Sequence, residues 1–155
     1  MPYFSLKSKR ELSTVSFDLQ AIFQAIIPWY DLTILEGRRS QERQDELFAL
    51  GFTQLKWPNG NHNVRSPSAL AFAVDAAPWI PGIGAPYPDA LIRAGYSKAQ
   101  AEVGCIASFS YLAGIVKATA QAQGKKIRWG GDWDGDDILL IDQRFDDLGH
   151  FELLQ

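Results

Sequence analysis

The chain has 155 residues, a net charge of −3 and a single cysteine, Cys105. This length suits one domain with an adequate core, and the slightly acidic balance lacks the basic surface of a nucleic-acid binder. A single cysteine excludes an intramolecular disulfide and a cysteine-rich zinc site. Any metal must therefore be held by histidine and carboxylate side chains. Cys105 itself lies in a small, apolar, helix-like run, where we expect a buried packing role.

The N-terminal 15 residues carry four charged side chains and no apolar segment of the kind found in a signal peptide. No stretch approaches the ~20 apolar residues of a membrane span. We therefore expect a protein that is made in the cytoplasm and is not inserted into a membrane.

Apolar residues three or four apart predict helices, and short apolar or alternating runs predict strands. The predicted elements, in chain order, are a helix over 12–27, a strand over 32–35, a helix from Ser40 to Gly51, a strand over 70–77, a helical turn over 89–95, a helix over 98–123, and strands over 127–129 and 150–154. We expect Ser40 and Ser97 to be N-caps of the helices that follow them. In the helix from Ser40, the expected apolar face is Leu47, Phe48 and Leu50. The chain shows no repeat, low-complexity tract or linker. We expect one α+β domain over residues 1–155, with a short antiparallel sheet packed against helices.

The chain has only two histidines, and each lies in a stretch that also carries carboxylates. His62 precedes a strand that ends at Asp75, where a buried carboxylate needs a partner. His150 comes three residues after Asp147, and a tight turn there would direct both side chains into one cleft. Two imidazoles and a carboxylate form a catalytic zinc set, with the fourth position left to water. Convergence of these stretches on a zinc ion is therefore the hypothesis.

If zinc binds there, it polarises a carbonyl and makes water more acidic, which suits peptide hydrolysis. That reaction needs two further groups. A carboxylate must take a proton from water and pass it to the leaving amine; Asp147 is the candidate, with Asp146 and Glu152 as competitors. A guanidinium suits a substrate carboxylate because its planar fork matches that group. Arg39 and Arg38 are both available for this role.

Two weaker signals lie in loops. One acidic stretch resembles a calcium loop, but Gly135 stands fourth in it, whereas an EF-hand needs glycine at the sixth position; the stretch contains Asp132, Asp134, Asp136 and Asp137. A calcium site is therefore not favoured. Three tryptophans flank the proposed site, where they either belong to the core or line a groove; they are Trp57, Trp79 and Trp133.

Taken together, these stretches resemble the family of zinc D-Ala-D-Ala carboxypeptidases and L-alanyl-D-glutamate endopeptidases, especially its small single-domain phage endolysins. The resemblance runs from about Leu32 to the end of the chain. The matching elements are Glu-Gly-Arg-Arg-Ser at 36–40 with Gln44 after it, Gly-Asn-His at 60–62, Ala-Val-Asp at 73–75, Trp-Gly-Gly-Asp-Trp at 129–133 and Asp-x-x-His-Phe-Glu at 147–152.

The resemblance implies a zinc cleft with His62, Asp75 and His150 as ligands. It also implies Asp147 as the general base and Arg39 as a substrate anchor, and we place Gln44 and Trp133 beside the substrate. The expected substrate is bacterial peptidoglycan, cut at the L-Ala–D-Glu bond of its stem peptides by a monomeric enzyme. Such an endolysin-like protein would be made in the host cytoplasm and would reach the cell wall in the periplasm after membrane permeabilisation.

The sequence departs from the family pattern around the first histidine. Gly60 replaces a serine, and the separation of thirteen positions between His62 and Asp75 is longer than in the compact form of the motif. Counting back from Asp75 in the compact form places Ser68 at the histidine position, and the first ligand is then missing. We follow the longer form, in which Pro67–Ser68 is an insertion and His62 is the ligand.

Two other functions compete with the endopeptidase. A D,D-carboxypeptidase with the same chemistry would hold a free terminal carboxylate through Arg39. A non-catalytic wall-binding module would keep the fold with a degenerate site. Metal stoichiometry separates the last from the two enzymes.

Overall fold

The computed structural model describes residues 1–66 and 68–154. Its elements are α1 (Leu6–Leu12), α2 (Phe17–Ile26), β1 (Leu32–Glu36), α3 (Gln41–Ala49), β2 (Ala73–Pro78), α4 (Pro88–Arg93), α5 (Lys98–Ala122), β3 (Ile127–Gly130) and β4 (Asp147–Leu153). The α+β fold predicted from the sequence is therefore confirmed.

The strands form one antiparallel sheet in the order β1-β2-β4-β3. The two central strands, β2 and β4, pair in a register that sets Asp75 opposite His150. Because successive side chains of a strand point to opposite faces, Val74 and Phe151 turn to one face while Asp75 and His150 turn to the other. Val74 and Phe151 are fully buried in the hydrophobic core. The opposite face of the same strand pair carries the polar side chains.

The core lies between the sheet and the helices α2 and α5. Its largest fully buried side chains include Phe23, Phe109, Trp129 and Phe151. The rings of Phe23 and Phe151 meet edge to face with centroids 5.9 Å apart, a favourable arrangement for aromatic pairs. This contact fixes α2 against the central strand that carries His150.

The helix predicted over residues 12–27 is confirmed as α2 over Phe17–Ile26, but it begins at Phe17 and not at Leu12, where α1 ends. Val15 forms a bridge with Ala71, and the backbone N–H of Ser16 donates to the Ala71 carbonyl. Ser16 then caps α2 by accepting from the N–H of Leu19. Tertiary pairing and a cap therefore set the start of α2 later than the predicted start, while its apolar stripe is buried as expected.

The helix predicted from Ser40 has the expected cap but a different buried face. Ser40 accepts from the N–H of Arg43, whereas the residue that α3 buries is the polar Gln44, only 1% exposed. The predicted apolar residue Leu50 is exposed. Gln44 is buried because it has hydrogen-bond partners at the functional site, as described below.

The long helix α5 begins at a capping box, in which Ser97 and Gln100 each accept a hydrogen bond from the other's backbone N–H. By length and composition α5 could cross a membrane, which differs from the expectation that no stretch approaches a membrane span. A core helix passes the same test, and α5 buries Cys105 as predicted, together with Phe109, Leu112 and Val116.

Candidate metal centre

Three side chains predicted as ligands converge at one point on the polar face of β2 and β4. His62 Nε2 lies 3.1 Å from Asp75 Oδ1 and 3.1 Å from His150 Nδ1, and His150 Nδ1 lies 3.3 Å from the same Asp75 oxygen. Asp75 and His150 come from the paired central strands, while His62 comes from the loop before β2. The loop folds back so that the N–H of Arg39 donates to the His62 carbonyl.

Hydrogen bonds on the outer side of each ring determine which nitrogen faces the centre. His62 Nδ1 lies 2.6 Å from the Gly37 carbonyl, and His150 Nε2 lies 3.1 Å from Glu152 Oε2. Both partners only accept, so in a neutral ring these nitrogens carry the proton and the other nitrogen has a lone pair. Two lone pairs and a carboxylate oxygen thus meet, an arrangement that requires a cation among them.

The size of this triangle fits zinc. Ligands bound tetrahedrally at ~2.0–2.1 Å are separated from one another by ~3.3–3.4 Å. The three separations here are 3.1, 3.1 and 3.3 Å, and nitrogen and carboxylate oxygen are both donors that zinc accepts. The residues present therefore suit a zinc ion with a fourth position open to the cleft.

The pKa values of the site also indicate that a positive charge is favoured where the three side chains meet. Burial opposes a charged His150, but hydrogen bonds with Asp75 and Glu152 outweigh it and raise the pKa of His150 to about 9. Burial likewise opposes a charged Asp75, yet the two histidines lower its pKa. A proton on His150 therefore takes the place that a metal cation would fill.

The Gly37 carbonyl reaches His62 because Gly37 has no side chain. A Cβ on Gly37 would overlap the Glu11 carbonyl oxygen and the Thr14 hydroxyl at the end of α1. Glu11 also accepts from the Gly37 N–H at 3.1 Å. The glycine of the Glu-Gly-Arg-Arg-Ser element is thus required by close packing, and its carbonyl orients a ligand. This role of Gly37 was not predicted from the sequence.

Arg39 orients the carboxylate ligand. Its Nη2 donates to Asp75 Oδ2 at 3.2 Å, leaving Oδ1 for the centre. Its Nε and Nη2 also donate to Glu36, and its Nη1 donates to Gln44 Oε1 at 3.0 Å. Gln44 in turn donates to the Leu55 carbonyl. Arg39 and Gln44, predicted at the substrate, both line the cleft and are at the same time part of its frame.

Asp147 stands at the start of β4, beside the centre, and a local irregularity of the sheet places it there. The register between β3 and β4 shifts between Trp129, which pairs with Phe151, and Gly130, which pairs with Asp147. This shift lets Asp147 and His150, three residues apart, both line the cleft. The predicted tight turn is therefore wrong: both residues belong to one irregular strand.

The Trp-Gly-Gly-Asp-Trp element supports Asp147. A Cβ on Gly130 would overlap the Asp147 backbone, and a Cβ on Gly131 would overlap the Trp129 ring. Trp129 Nε1 donates to the Leu148 carbonyl at 2.8 Å. Burial first, and then the charge of Asp75, raise the pKa of Asp147 above its ordinary value, which brings it closer to that of a working general base.

The two histidines of the centre line a cleft of about 630 Å³, within the range of small-ligand sites. Trp133 forms part of its wall, with its ring centroid 5.2 Å from that of His150. Trp133 Nε1 is held by the Phe145 carbonyl at 2.8 Å. Further lining comes from Phe52, Arg128 and Arg144.

Other candidates lie away from the centre. Ser68, the alternative to His62, is exposed and bonds to Ser66; Pro67, the other half of the insertion, lies outside the described residues. Trp79 lies in a different pocket, near Asp31. Arg38 is directed to the Ala69 carbonyl.

The acidic loop brings three carboxylates together, from Asp132, Asp134 and Asp136. Asp132 is already neutralised, because Lys117 Nζ lies 3.1 Å from it. It also accepts from the Gly135 N–H. These contacts give the loop a structural role in the metal-free chain.

No protein-family model and no curated protein matches the chain. Among solved structures, the chain is similar to the crystal structure of the Serratia marcescens L-Ala D-Glu endopeptidase ChiX. The TM-score is 0.62 and the sequence identity 21%, over 99% of this chain and 91% of that one. The chain therefore has the fold of this endopeptidase across its whole length, and the family resemblance read from its motifs is supported at the level of the fold.

Proposed function

We propose that the protein is a zinc peptidase that hydrolyses the L-Ala–D-Glu bond in the stem peptides of bacterial peptidoglycan. The observation that carries the zinc chemistry is the triangle of His62 Nε2, His150 Nδ1 and Asp75 Oδ1, whose two histidines line a cleft. The fold shared with an L-Ala D-Glu endopeptidase supports the substrate class.

The proposed mechanism divides the work among the side chains of the cleft. A zinc ion held by His62, Asp75 and His150 would act as a Lewis acid that polarises a peptide carbonyl and makes water more acidic. Asp147 takes the proton of the attacking water and delivers it to the leaving amine. Its raised pKa favours this exchange, because a stronger base accepts the proton more readily. Arg39 keeps Asp75 oriented throughout.

The hydrogen bonds of Arg39 favour an endopeptidase over a D,D-carboxypeptidase. A guanidinium has five N–H groups, and four of them donate to Glu36, Gln44 and Asp75. At most one N–H, on Nη1, is left for substrate within the described part of the chain. A bidentate grip on a terminal carboxylate needs two, whereas a single bond suffices to steer an internal peptide.

We further propose that the protein acts as a monomer on the cell wall in the periplasm. Peptidoglycan lies outside the cytoplasmic membrane, so a protein made in the host cytoplasm would need another protein to permeabilise that membrane. A phage endolysin would work in this way.

The first test is the metal content of the purified protein, compared among wild type, His62→Ala and Ser68→Ala. We expect one zinc per chain in wild type and Ser68→Ala and loss of zinc in His62→Ala, because Nε2 of His62 completes the triangle. A folded wild type that takes up no zinc after addition of the metal would contradict the proposal and favour a wall-binding module.

The second part of the test is product analysis on purified muropeptides with the zinc-loaded protein. A new N-terminal D-Glu is the expected product. Release of D-Ala would identify a carboxypeptidase instead, and zinc binding without any cleavage would leave a non-catalytic function.

A further inference from the structure

Glu152 lies on the outer side of a ligand ring, away from the point where the three ligand atoms meet. Its Oε2 lies 3.1 Å from His150 Nε2, while His150 Nδ1 faces Asp75 and His62. The two residues are next but one on β4, so their side chains share a face of the strand. Glu152 is buried, with 5% of its surface exposed.

Two other side chains hold the Glu152 carboxylate in this position. Asn61, next to the ligand His62, donates from Nδ2 to the same Oε2 at 2.8 Å. Arg128, opposite Glu152 in the neighbouring strand β3, donates from Nε to Oε1 at 2.6 Å. The Arg128 guanidinium also lies 5.6 Å from the Trp133 ring that walls the cleft. Both carboxylate oxygens are therefore engaged, and the carboxylate has a fixed orientation.

We propose that Glu152 is a positioning residue, which keeps the proton of His150 on Nε2 and so reserves Nδ1 for the metal. Free imidazole exchanges its proton between the two nitrogens. An N–H on Nδ1 would point at Asp75 and His62 and would block the third ligand position. A carboxylate that accepts from Nε2 removes this alternative. This inference rests on the proposed zinc function of the site.

The same geometry separates Glu152 from the role of general base, for which the sequence made it a competitor of Asp147. Its Oε2 is bonded to Nε2, on the opposite side of the ring from the metal-facing Nδ1. Its Oε1 is occupied by Arg128. Glu152 lines the cleft, but both of its oxygens are engaged by other side chains, and we therefore assign its effect on the reaction to its contact with His150.

His62 is controlled by an equivalent contact of a different kind. Its Nδ1 donates to the Gly37 carbonyl, so Nε2 is the nitrogen that faces the centre. The two histidines thus present opposite nitrogens, each selected by its outer partner. A side-chain substitution removes the Glu152 carboxylate but leaves the Gly37 carbonyl in place. His150 is therefore the ring on which the inference is tested.

The experiment measures zinc affinity by competition with a chromophoric chelator in wild type, Glu152→Ala, Glu152→Gln and Asp132→Asn. Loss of an outer partner typically weakens metal binding ~10–100-fold, and we expect this for Glu152→Ala. Glu152→Gln keeps an acceptor oxygen and should lose less. Asp132→Asn is the matched control, because Asp132 is also a buried, ion-paired carboxylate, but one that bonds to no ligand.

A second readout shows the tautomer directly. Long-range ¹H–¹⁵N NMR spectra of the zinc-loaded protein distinguish a ring nitrogen that carries a proton from one that binds metal. With only two histidines in the chain, the ring whose signals shift in Glu152→Ala is His150. We expect wild-type His150 to carry its proton on Nε2, and metal bound to Nε2 instead would overturn the inference.

The zinc affinities of the folded variants distinguish a positioning role of Glu152 from general support of the fold. If Glu152→Ala is folded and binds zinc as tightly as wild type, or if Asp132→Asn weakens binding equally, the inference is wrong. Should Glu152→Ala fail to fold, Asn61→Ala replaces it, with a several-fold loss of affinity expected and an unchanged affinity contradicting the inference. A wild type without zinc would overturn the proposed function as well, so the two failures are distinguishable.

Discussion

At the scale of single residues, the site assigns three nearby carboxylates to three roles. Asp75 faces the metal position, Glu152 lies behind a ligand ring and Asp147 lies in the cleft with a raised pKa. The contacts of each carboxylate, rather than its residue type, decide the role. A histidine or an arginine donates to Asp75 and Glu152, whereas no hydrogen bond to the Asp147 carboxylate is seen among the described residues.

The role of Asp147 predicts the behaviour of Asp147→Asn. We expect turnover of muropeptides to fall ~10²–10⁴-fold, the usual contribution of a general base, while zinc stays bound. Asp146→Asn is the control, because Asp146 is exposed and bonds to Gln143; its activity should stay within a few fold of wild type. Loss of zinc from Asp147→Asn would make Asp147 a ligand, and an inactive Asp146→Asn would move the base to that residue.

At the scale of elements, caps and strand pairing position the site, and they differ in how well the sequence predicts them. The caps at Ser40 and Ser97 follow from local residue types and are confirmed. The irregular β3–β4 register does not follow from local pattern, because strict alternation would send Asp147 and His150 to opposite faces. Only the pairing of Gly130 with Asp147 brings both into the cleft.

The capping box of α5 makes a stability prediction. Ser97→Ala removes the hydrogen bond to the Gln100 N–H, so we expect the free energy of unfolding to fall by ~1 kcal/mol. Urea unfolding measures this, with Gln121→Ala, an exposed change in the last turn of the same helix, as the control. If Gln121→Ala lowers the free energy of unfolding as much as Ser97→Ala does, the loss in Ser97→Ala does not come from the cap.

At the scale of the whole molecule, the charged groups of the site make the metal-free protein less stable at both acidic and alkaline pH. Glu152 has its pKa lowered to about 2 by His150, Asn61 and Arg128, against the effect of burial. The charged Glu152 carboxylate contributes its full stabilisation above the ordinary glutamate pKa of 4.5. This contribution is lost as the pH falls towards its lowered pKa of about 2. His150 has a raised pKa, so its protonated ring stabilises the fold fully below the ordinary histidine pKa of 6.5. That contribution is lost as the pH rises through about 9.

We therefore expect the metal-free protein to be most stable between about pH 4.5 and 6.5. Urea unfolding with a chelator across this range measures the effect, and Glu152→Gln should show a shallower loss on the acidic side. Zinc should stabilise the wild type further, by an amount that rises with the logarithm of the free zinc concentration once this exceeds the Kd, because zinc binds only the folded site. A flat pH profile in the metal-free protein would contradict the charge distribution described here.

The sequence by itself determined the chemistry available to this protein. One cysteine and two histidines restricted any metal site to histidine and carboxylate, and the Asp-x-x-His-Phe-Glu and Trp-Gly-Gly-Asp-Trp elements indicated which stretches would form it. The helices, the strands and the caps also followed largely from local pattern, because apolar spacing and capping are properties of neighbouring residues.

The tertiary structure alone decided which atoms meet. Asp75 and His150 lie far apart in the chain and become neighbours only through the antiparallel register of β2 and β4. The outer partners that select the histidine nitrogens, Gly37 and Glu152, are likewise defined by contacts between elements. Local pattern carries no information on such contacts, since they depend on how the whole chain packs.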